Sequence, residues 1–363
     1  MEKEVYEVLD KIEKNGFKAY LVGGYVRDYV RKVKTSDIDI ATNAKVLDLI
    51  KIFDSYNIKP TLYGNVFLKY NNMDFEITTF RKELSYKDNR KPCNIEYVNT
   101  YNEDILRRDF TINSLYMDKN GNIIDLLNGR RDIHKKIIRS VLDPNIKIKE
   151  DTLRIMRAIR FAVSLNFKLD EKLKQAIINN REDLYKLSYE RKKEELLKIF
   201  TSNNKKYAIR LLNELDLLKY LEIDNISVIL KTNDIIGIWA NIIDIDKTKY
   251  PFTKYERSLI KDIQTASLLD INNNMVMYKY GPYVLSIICD VKGLNKRKIL
   301  KKYNSLPIKD KSEINIDPNT ITSITDNKNI KIKDIYSSIE TNILNGNLNN
   351  CEKDIKKFLN GNF

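Results

Sequence analysis

The hydrophobic pattern of this chain changes at Pro144, and that change limits the folds that it can adopt. Before Pro144, short runs rich in β-branched and aromatic residues alternate with polar turns and with at least two helical stretches. After it, apolar residues recur every three or four positions, which is the spacing of a helix face. The pattern therefore predicts an α+β region over residues 1–143, a turn at 141–145 and an all-helical remainder.

Individual elements can be predicted from the same spacing. Val5, Val8, Leu9 and Ile12 recur at helical intervals and predict an N-terminal amphipathic helix. The predicted strands are 19–22, 36–42, 64–70 and 73–80, and the predicted helices are 150–163, 171–179 and 188–200. From residue 201 the helical pattern continues, interrupted by Asn-rich turns and by prolines at 251, 282, 307 and 318.

The charge balance indicates a polyanionic partner. The 363 residues include 64 Lys and Arg against 50 Asp and Glu, a formal net charge of +14. The excess is +8 over the first 200 residues and +6 over the rest, so it is not confined to a basic tail. A protein with this charge is predisposed to bind nucleic acid.

Several function classes are excluded by what the chain lacks. Its single histidine, His134, cannot form a histidine-rich metal site, so any chemistry must use carboxylates, Arg, Lys, backbone groups and hard metal ions. The three cysteines, Cys93, Cys289 and Cys351, lie far apart and match no metal or disulfide pattern. No apolar run approaches the roughly 18 residues of a membrane span, and no secretory segment is visible. We therefore expect a cytoplasmic protein without a membrane partner.

The sharpest local motif is Ser36-Asp37-Ile38-Asp39-Ile40. Alternate side chains of a strand share a face, so both aspartates would project one way and both isoleucines the other. Two carboxylates placed like this can bind hard divalent cations, as phosphoryl transfer requires. The alternative is a half-buried strand with a polar face, because such aspartate pairs are common.

A predicted strand upstream enters a glycine turn, and a helix opens after it. Gly23 and Gly24 would let the backbone approach a phosphate, while the helix N-terminus and Arg27 supply positive potential. Alone, this is also what an ordinary strand-turn-helix corner looks like. Because only 12 residues separate Gly24 from Asp37, the two motifs together predict a phosphate cradle beside a metal site.

Two further segments add charged groups. Asp74 and Glu76 alternate along a predicted strand, so either could join the metal site, or they could form an exposed strand face. The cluster Arg107–Asn113 could bind phosphate through Arg108 and a ribose hydroxyl through Asp109. Alternatively, this cluster is a network of ion pairs on the protein surface without a ligand.

An arginine row is the second sharp motif. Arg154, Arg157 and Arg160 recur every three residues beside an apolar stripe that begins at Leu153. Three neighbouring cations repel one another and Asp151 neutralises only part of their charge, so the row favours an anionic ligand over a solvated helix face. Asp151 and Arg154 could also present an acceptor and a donor fork to the edge of a base.

Six segments, in order, resemble the class II tRNA nucleotidyltransferases, which are CCA-adding enzymes of the polymerase-β-like superfamily, shared with bacterial poly(A) polymerases. They lie between residues 17 and 200: GGYVRD, SDIDIAT, EITTFR, RRDFTIN, EDTLRIMRAIRF and ERKKEEL. The resemblance implies an α+β fold, with a nucleotidyltransferase head built on a small mixed β-sheet and an all-helical neck, body and tail. It also implies template-independent addition of C, C and A to the 3′ end of tRNA from CTP and ATP.

The resemblance divides the chain and assigns roles. The catalytic head would be 1–143, the neck with the nucleotide-selecting helix 144–200, and the tRNA-binding body and tail 201–363. Asp37 and Asp39 would hold two Mg²⁺ ions, with Glu76 rather than Asp74 as a supporting catalytic carboxylate. The implied nucleotide-binding residues are Gly23, Gly24 and Arg27 for the triphosphate, Arg108 and Asp109 near the ribose, Asp151 and Arg154 for base selection, and Arg157 and Arg160 for further phosphate and base contacts. Glu190, Arg191 and Glu195 would brace the neck helices.

The chain departs from the family pattern in places. The segment 86–92 resembles the family's flexible loop with Lys91 in place of a histidine, and its full length favours CCA over CC addition. Lys147 and Ile148 stand where the family tends to have an Arg-Phe pair. The strand at 63–70 carries a single lysine, Lys69, whereas the poly(A) polymerase branch tends to be Arg-rich there.

Two alternative functions stay open. One is a partial-specificity relative that adds only CC, only A, or poly(A). The other is a catalytically silent RNA-binding protein of the same fold, against which the intact aspartate pair and arginine row argue. We expect a monomer or a homodimer.

Overall fold

Seven strands form one mixed sheet in the first part of the chain, and four other strands form two separate two-stranded sheets. The computed structural model describes residues 2–35, 37–61, 64–87, 91–328 and 331–362. Its strands are β1 (Ala19–Val22), β2 (Ile38–Thr42), β3 (Asn57–Pro60), β4 (Asn65–Tyr70), β5 (Met73–Thr79), β6 (Arg81–Lys87), β7 (Lys91–Tyr97), β8 (Tyr116–Met117), β9 (Ile123–Ile124), β10 (Ile137–Ile138) and β11 (Lys168–Leu169).

The helices dominate the rest of the chain. Those up to residue 221 are α1 (Lys3–Lys14), α2 (Gly23–Val30), α3 (Val46–Ile52), α4 (Tyr101–Asp104), α5 (Gly129–Lys135), α6 (Pro144–Glu150), α7 (Leu153–Leu165), α8 (Glu171–Asn180), α9 (Tyr189–Phe200), α10 (Lys205–Glu214) and α11 (Leu218–Leu221). Those after it are α12 (Ile235–Ile242), α13 (Lys254–Ser267), α14 (Asn274–Lys292), α15 (Lys296–Asn304), α16 (Pro318–Lys328), α17 (Ile332–Leu344) and α18 (Glu352–Asn362).

The order of the large sheet brings distant segments together at its centre. Its strands lie in the order β3-β4-β5-β2-β1-β8-β9. β2 pairs with β5 in parallel and with β1 antiparallel. The alternation predicted for β2 is present, because Ile38 and Ile40 are buried while Asp39 between them is partly exposed. β6 and β7 form a separate antiparallel hairpin.

The chain divides into two compact units, Met1–Leu221 and Glu222–Phe363. In the first, α1 buries the four apolar residues that predicted it, Val5, Val8, Leu9 and Ile12. Side chains from β1, β2 and β8, including Val22, Ala41 and Tyr116, form a buried cluster with Phe80. The predicted α+β fold class is confirmed, but the part after Pro144 is not all helical, because β11 (Lys168–Leu169) lies within it and pairs with β10. The head and neck boundaries at 143 and 200 both fall inside this unit and stay predictions.

One local prediction is wrong. The segment around Pro144 is the start of α6 rather than a turn, because the Asp143 carboxylate accepts hydrogen bonds from the backbone N–H groups of Asn145 and Ile146. A proline at the first helical position needs no N–H partner, so an Asp-Pro pair is a favourable helix start. The helix predicted at 150–163 is present as α7, which begins at Leu153, whereas Glu150 ends α6 and the two residues between them belong to neither helix.

The second unit is built from helices in the part that the structure describes. Trp239 of α12 is fully buried, and its ring lies 4.8 Å from that of Tyr250, centroid to centroid. α13 begins with a capping box between Thr253 and Glu256. α14 contains a break at Gly281, whose φ of 71° precedes Pro282. No helix within the described ranges is both long enough and apolar enough to cross a membrane.

Candidate active site

One cavity of about 740 Å³ in the first unit is lined by all twelve residues that the sequence singles out. They come from five separate segments: Gly23, Gly24, Arg27, Asp37, Asp39, Glu76, Arg108, Asp109, Asp151, Arg154, Arg157 and Arg160. Five more residues line it that the sequence did not assign to the site: Glu83, Arg107, Asn113, Phe161 and Lys198. The fold therefore brings the predicted residues together, while their individual roles stay predictions.

The corner between β1 and α2 needs a glycine at Gly23. Its φ is +65°, and a Cβ built there would lie 2.8 Å from the Oδ2 atom of Asp39. A side chain would therefore be strained by its own backbone and would push the aspartate away. Gly23 and Gly24 belong to the first turn of α2, so the helix begins at the predicted glycine turn rather than after it, at Tyr25.

Two of the three predicted catalytic carboxylates lie side by side because of strand register. β2 and β5 run parallel with Asp39 opposite Glu76. Asp37 lies one residue before β2 and is exposed, next to Ser36, which is outside the described residues. Asp74 is exposed and does not line the cavity, so the geometry favours Glu76 over Asp74 as the sequence predicts.

The electrostatic environment of Asp39 is unfavourable for an isolated carboxylate. Burial, together with the nearby carboxylates of Asp37 and Glu76, raises the pKa of Asp39 to about 7. The guanidinium groups of Arg108 and Arg157 lower it but do not outweigh these effects. A cation bound between these carboxylates would offset their mutual repulsion and favour the ionised form of Asp39.

A hydrogen-bond chain that the sequence did not reveal holds Glu76. Asn65 on the neighbouring strand β4 donates to Glu76 Oε1 at 2.7 Å and accepts from Arg81 Nη1 at 3.1 Å. Arg81 also donates to Glu83 Oε1 from Nε and Nη2, at 3.1 and 3.0 Å. Asn65 lies in a β-strand pattern with no charge of its own, so no sequence signal marks it.

Asp104 is the buried anchor of the arginine cluster. Its side chain accepts hydrogen bonds from Arg107 Nε at 2.8 Å, from Arg108 Nη2 at 3.1 Å and from the Tyr116 hydroxyl at 2.7 Å. Burial opposes its ionisation, but the two guanidinium groups and the hydroxyl outweigh that effect and hold the pKa of Asp104 below its usual value. Its spacing of three and four residues from the arginines is the helical signal that could have identified it.

Asp109 joins this cluster to helix α7. Its Oδ2 accepts from Arg157 Nε at 2.8 Å, and its Oδ1 accepts from Asn113 Nδ2 at 3.2 Å. Arg27 in turn donates to Asn113 Oδ1 at 2.9 Å and is fixed at its other edge by Asp28. Burial works against the Asp109 charge, yet Arg157 and Asn113 keep the pKa of Asp109 below its usual value.

The base-selecting pair predicted from the sequence lies at a helix junction. Asp151 has extended backbone angles, and its carboxylate accepts from the Leu153 N–H at 3.0 Å, which starts α7. Asp151 is therefore just ahead of the helix that was predicted to carry it. Arg154 is buried and donates to the backbone carbonyl oxygens of Lys147 and Arg107 at 2.6 and 3.0 Å. Lys147, one of the departures from the family pattern, thus holds Arg154 through its backbone.

Of the three residues expected to brace the neck helices, one is buried and two are exposed. Glu195 of α9 is buried and forms an ion pair with Arg160 at 3.1 Å, so it connects α9 to the arginine row of α7. Arg191 is exposed and pairs with Glu194 on its own helix, and Glu190 is also exposed. Of the flexible-loop segment 86–92, residues Asp88–Arg90 lie outside the described residues.

Comparison with known proteins identifies the family. A model described as the poly A polymerase head domain matches residues 19–139, and one described as a probable RNA and SrmB-binding site of polymerase A matches 166–226. The CCA-adding enzyme of Staphylococcus epidermidis is 30% identical, and the alignment covers 99% of this chain and 98% of that protein. The chain belongs to the CCA-adding enzyme family.

Other members of this family align over different lengths. The CCA-adding enzyme of Anoxybacillus flavithermus is 31% identical over 98% of this chain and 96% of its own length. The enzyme of Lactobacillus delbrueckii subsp. bulgaricus is 43% identical, but that alignment spans only 56% of this chain and 51% of the relative, about half its length. The higher identity therefore holds for about half of each protein.

Solved structures of the family share the fold. The CCA-adding enzyme of Bacillus stearothermophilus in complex with CTP superposes with a TM-score of 0.80 at 25% identity, over 99% of this chain and 98% of that one. The Thermotoga maritima CCA-adding enzyme complexed with tRNA gives a TM-score of 0.67 at 20% identity, over 98% and 94%. At that identity the second likeness concerns the fold alone.

Proposed function

We propose that this protein adds C, C and A to the 3′ end of tRNA, using CTP and ATP and no nucleic-acid template. The observation that carries the proposal is the single cavity in which strand carboxylates, a glycine corner and an arginine helix meet. Family membership supports the same activity, and the CTP complex of the B. stearothermophilus relative supports CTP as a substrate.

The donor set at the cavity floor fits Mg²⁺. No three His, Cys, Asp or Glu side chains within the described ranges are grouped closely enough to hold a metal by themselves. Mg²⁺ does not need such a cage, because it is usually held by one or two carboxylates and completes its shell with water and substrate phosphates. Asp37 and Asp39 would supply those carboxylates, with Glu76 beside Asp39. Two bound ions would activate the 3′-hydroxyl and neutralise the departing diphosphate.

The remaining residues would bind and orient the nucleotide. Gly23 and Gly24 let the phosphates approach the first turn of α2, and Arg27, Arg157 and Arg160 offset their negative charge. Arg108 and Asp109 would lie near the ribose, as the family resemblance implies. Asp151 and Arg154 would read the Watson–Crick edge, since one offers an acceptor and the other a planar set of donors.

Arg154 is suited to reading a base because it is already fixed. Two backbone carbonyl oxygens and the Glu150 carboxylate hold its guanidinium group, so little side-chain entropy is lost when a base docks. A side chain that is held in place before the ligand arrives can discriminate between donors and acceptors, because a mismatched base leaves buried polar groups unpaired.

The proposal is tested by extending a tRNA that ends at the discriminator base. Purified protein is incubated with Mg²⁺ and CTP, ATP or both, and products are resolved at single-nucleotide length with Asp37→Ala as the control. Growth by three nucleotides only with both substrates, lost in the variant, supports CCA addition and the metal site. Growth that stops at two nucleotides, a lone A added to tRNA-CC, or a long A ladder would indicate a partial-specificity relative instead.

A second candidate is an RNA-binding protein of this fold without catalysis. Under that alternative, no acceptor is extended and Asp37→Ala leaves tRNA affinity unchanged.

We further propose that the protein is cytoplasmic, that tRNA is its partner through residues 201–363, and that it is a monomer or a homodimer. Sedimentation with and without tRNA distinguishes these two assembly states.

A further inference from the structure

One aromatic ring in the cavity is contacted by three guanidinium groups. Phe161, which follows the arginine row on α7, lines the cavity and is partly exposed. The guanidinium carbon of Arg160 lies 4.3 Å from the ring centroid, that of Arg157 lies 5.4 Å away and that of Arg27 lies 5.5 Å away. Arg27 belongs to α2, whose first turn contains Gly23 and Gly24, so the ring contacts arginines from both α2 and α7.

Each of these arginines also has a carboxylate partner. Arg27 pairs with Asp28, Arg157 with Asp109 and Arg160 with Glu195. These ion pairs fix the three cations from different sides of the site: from α2, from the segment after α4, and from α9. The ring is the contact that all three arginines share.

Donor groups are left over at this cluster. The ion pair of Arg160 with Glu195 uses its Nε, which lies 3.1 Å from the Glu195 carboxylate without the alignment of a hydrogen bond. A guanidinium group has five N–H donors, and contact with an aromatic face uses none of them. The N–H groups that these ion pairs do not use can therefore donate to the acceptor atoms of a ligand.

The three cations repel one another. Burial lowers the pKa of Arg160, and the charges of Arg157 and Arg27 lower it further. A ring face stabilises a cation by about 0.5–2 kcal/mol according to how far it is desolvated. Replacing Phe161 by an aliphatic residue would keep much of the volume and remove this attraction.

We propose that Phe161 is a positioning residue that gathers Arg27, Arg157 and Arg160 into one site for the triphosphate of the incoming nucleotide. The proposal rests on the function proposed above and names the phosphate chain as the ligand. Phe161 does not touch the reacting atoms. It acts through the arginines, because its π face offsets their repulsion while their N–H edges stay available to phosphate oxygens.

The test compares Phe161→Leu and Phe161→Tyr by calorimetric titration with CTP and with sodium tripolyphosphate, without added divalent cation. We expect Phe161→Leu to weaken both ligands by the same factor, about tenfold for the loss of roughly 1.4 kcal/mol. Phe161→Tyr keeps the π face and should bind both ligands within about twofold of the wild type. In the extension assay, Phe161→Leu should raise the KM for CTP and ATP and leave kcat within about threefold.

Phe200→Leu is the matched control, because Phe200 is fully buried on α9 and does not line the cavity. It should lower the melting temperature without changing tripolyphosphate affinity. The proposal is overturned if Phe161→Leu only lowers the melting temperature like this control and binds tripolyphosphate as the wild type does. If the wild type extends no tRNA and the tripolyphosphate effect persists, the proposed function fails and the phosphate site stands.

Discussion

Charge pairing in and behind the wall of the cavity decides which side chains a ligand can use. Asp104 and Asp109 are committed to arginines, so they orient cations. Arg154 donates to two backbone carbonyl oxygens and pairs with the Glu150 carboxylate at 2.8 Å, so its guanidinium group is held in place. Asp37 is exposed, which makes it available to a cation. The site is therefore a set of pre-oriented charges, and its catalytic contribution would be electrostatic.

Asp104→Asn tests the anchor of this arrangement. The pKa of the folded Asp104 carboxyl is below its ordinary value, so its ionised form stabilises the fold above pH of about 4. That stabilisation is lost as pH falls through the lower folded pKa. At pH 7 we expect the variant to lose about 3–5 kcal/mol of unfolding free energy, because two partly buried guanidinium groups lose their ionised partner.

Urea unfolding followed by circular dichroism at pH 7 and pH 3 measures this effect, with the exposed Asp54→Asn of the same unit as control. The difference between wild type and Asp104→Asn should shrink at pH 3, because the unfolded chain then binds the proton that the folded chain excludes. A difference that grows as the pH is lowered would contradict the assigned ion pairing.

At the scale of elements, the corner between β1 and α2 and the register of β2 on β5 create the site. The corner requires a left-handed backbone at Gly23 and close approach to Asp39. The register places Asp39 opposite Glu76. A one-residue slip would turn Glu76 away from the cavity, since successive side chains of a strand point to opposite faces.

Gly23→Ala tests this corner, with Gly121→Ala as the matched control. Both glycines have positive φ, +65° and +84°, so both variants should lose about 1–2 kcal/mol of unfolding free energy from backbone strain. Only the Cβ at position 23 meets Asp39, because nothing lies within 4 Å of the one at position 121. Nucleotide incorporation should therefore fall by about 100-fold in Gly23→Ala and stay near wild type in Gly121→Ala. Equal rates in the two variants would show that the corner does not position Asp39.

The sequence was informative about this region wherever a periodic pattern or a charge marked the residue. Alternation predicted β2 and β5, and the spacing of the arginines predicted their shared face on α7. It failed at Asp151, whose side chain captures a backbone N–H and so interrupts the helix that the apolar pattern favours. It also missed Asn65 and Phe161, because their contributions depend on partners that only the folded chain brings together.

At the scale of the whole molecule, the chain separates into a unit that contains the complete cavity and a second, helical unit. Every residue that lines the cavity lies between Gly23 and Lys198, within the first unit. The positive charge, however, is spread over both halves of the sequence. We therefore attribute chemistry to the first unit and propose that phosphate-backbone binding draws on the charge of both.

Salt dependence tests that attribution. Neutralising RNA phosphates releases counterions, so the logarithm of tRNA affinity should fall linearly with the logarithm of salt concentration. Between about 0.05 and 0.2 M KCl we expect at least a tenfold loss of affinity, measured by filter binding. An affinity that does not change over this range would contradict the assignment of tRNA as a partner held by the net charge of +14.

The central claim is that side chains in this cavity, and no nucleic-acid template, choose the base. The most direct test measures single-turnover incorporation of each of the four nucleoside triphosphates by the wild type and by Asp151→Ala. Asp143→Ala serves as control, because it removes the cap of α6 without removing a side chain that lines the cavity. We expect the wild type and Asp143→Ala to add only C, C and then A, and Asp151→Ala to add U and G at rates within about tenfold of C. If Asp151→Ala is slower with all four nucleotides but keeps the wild-type ratios, base selection does not reside at this position and the account is wrong.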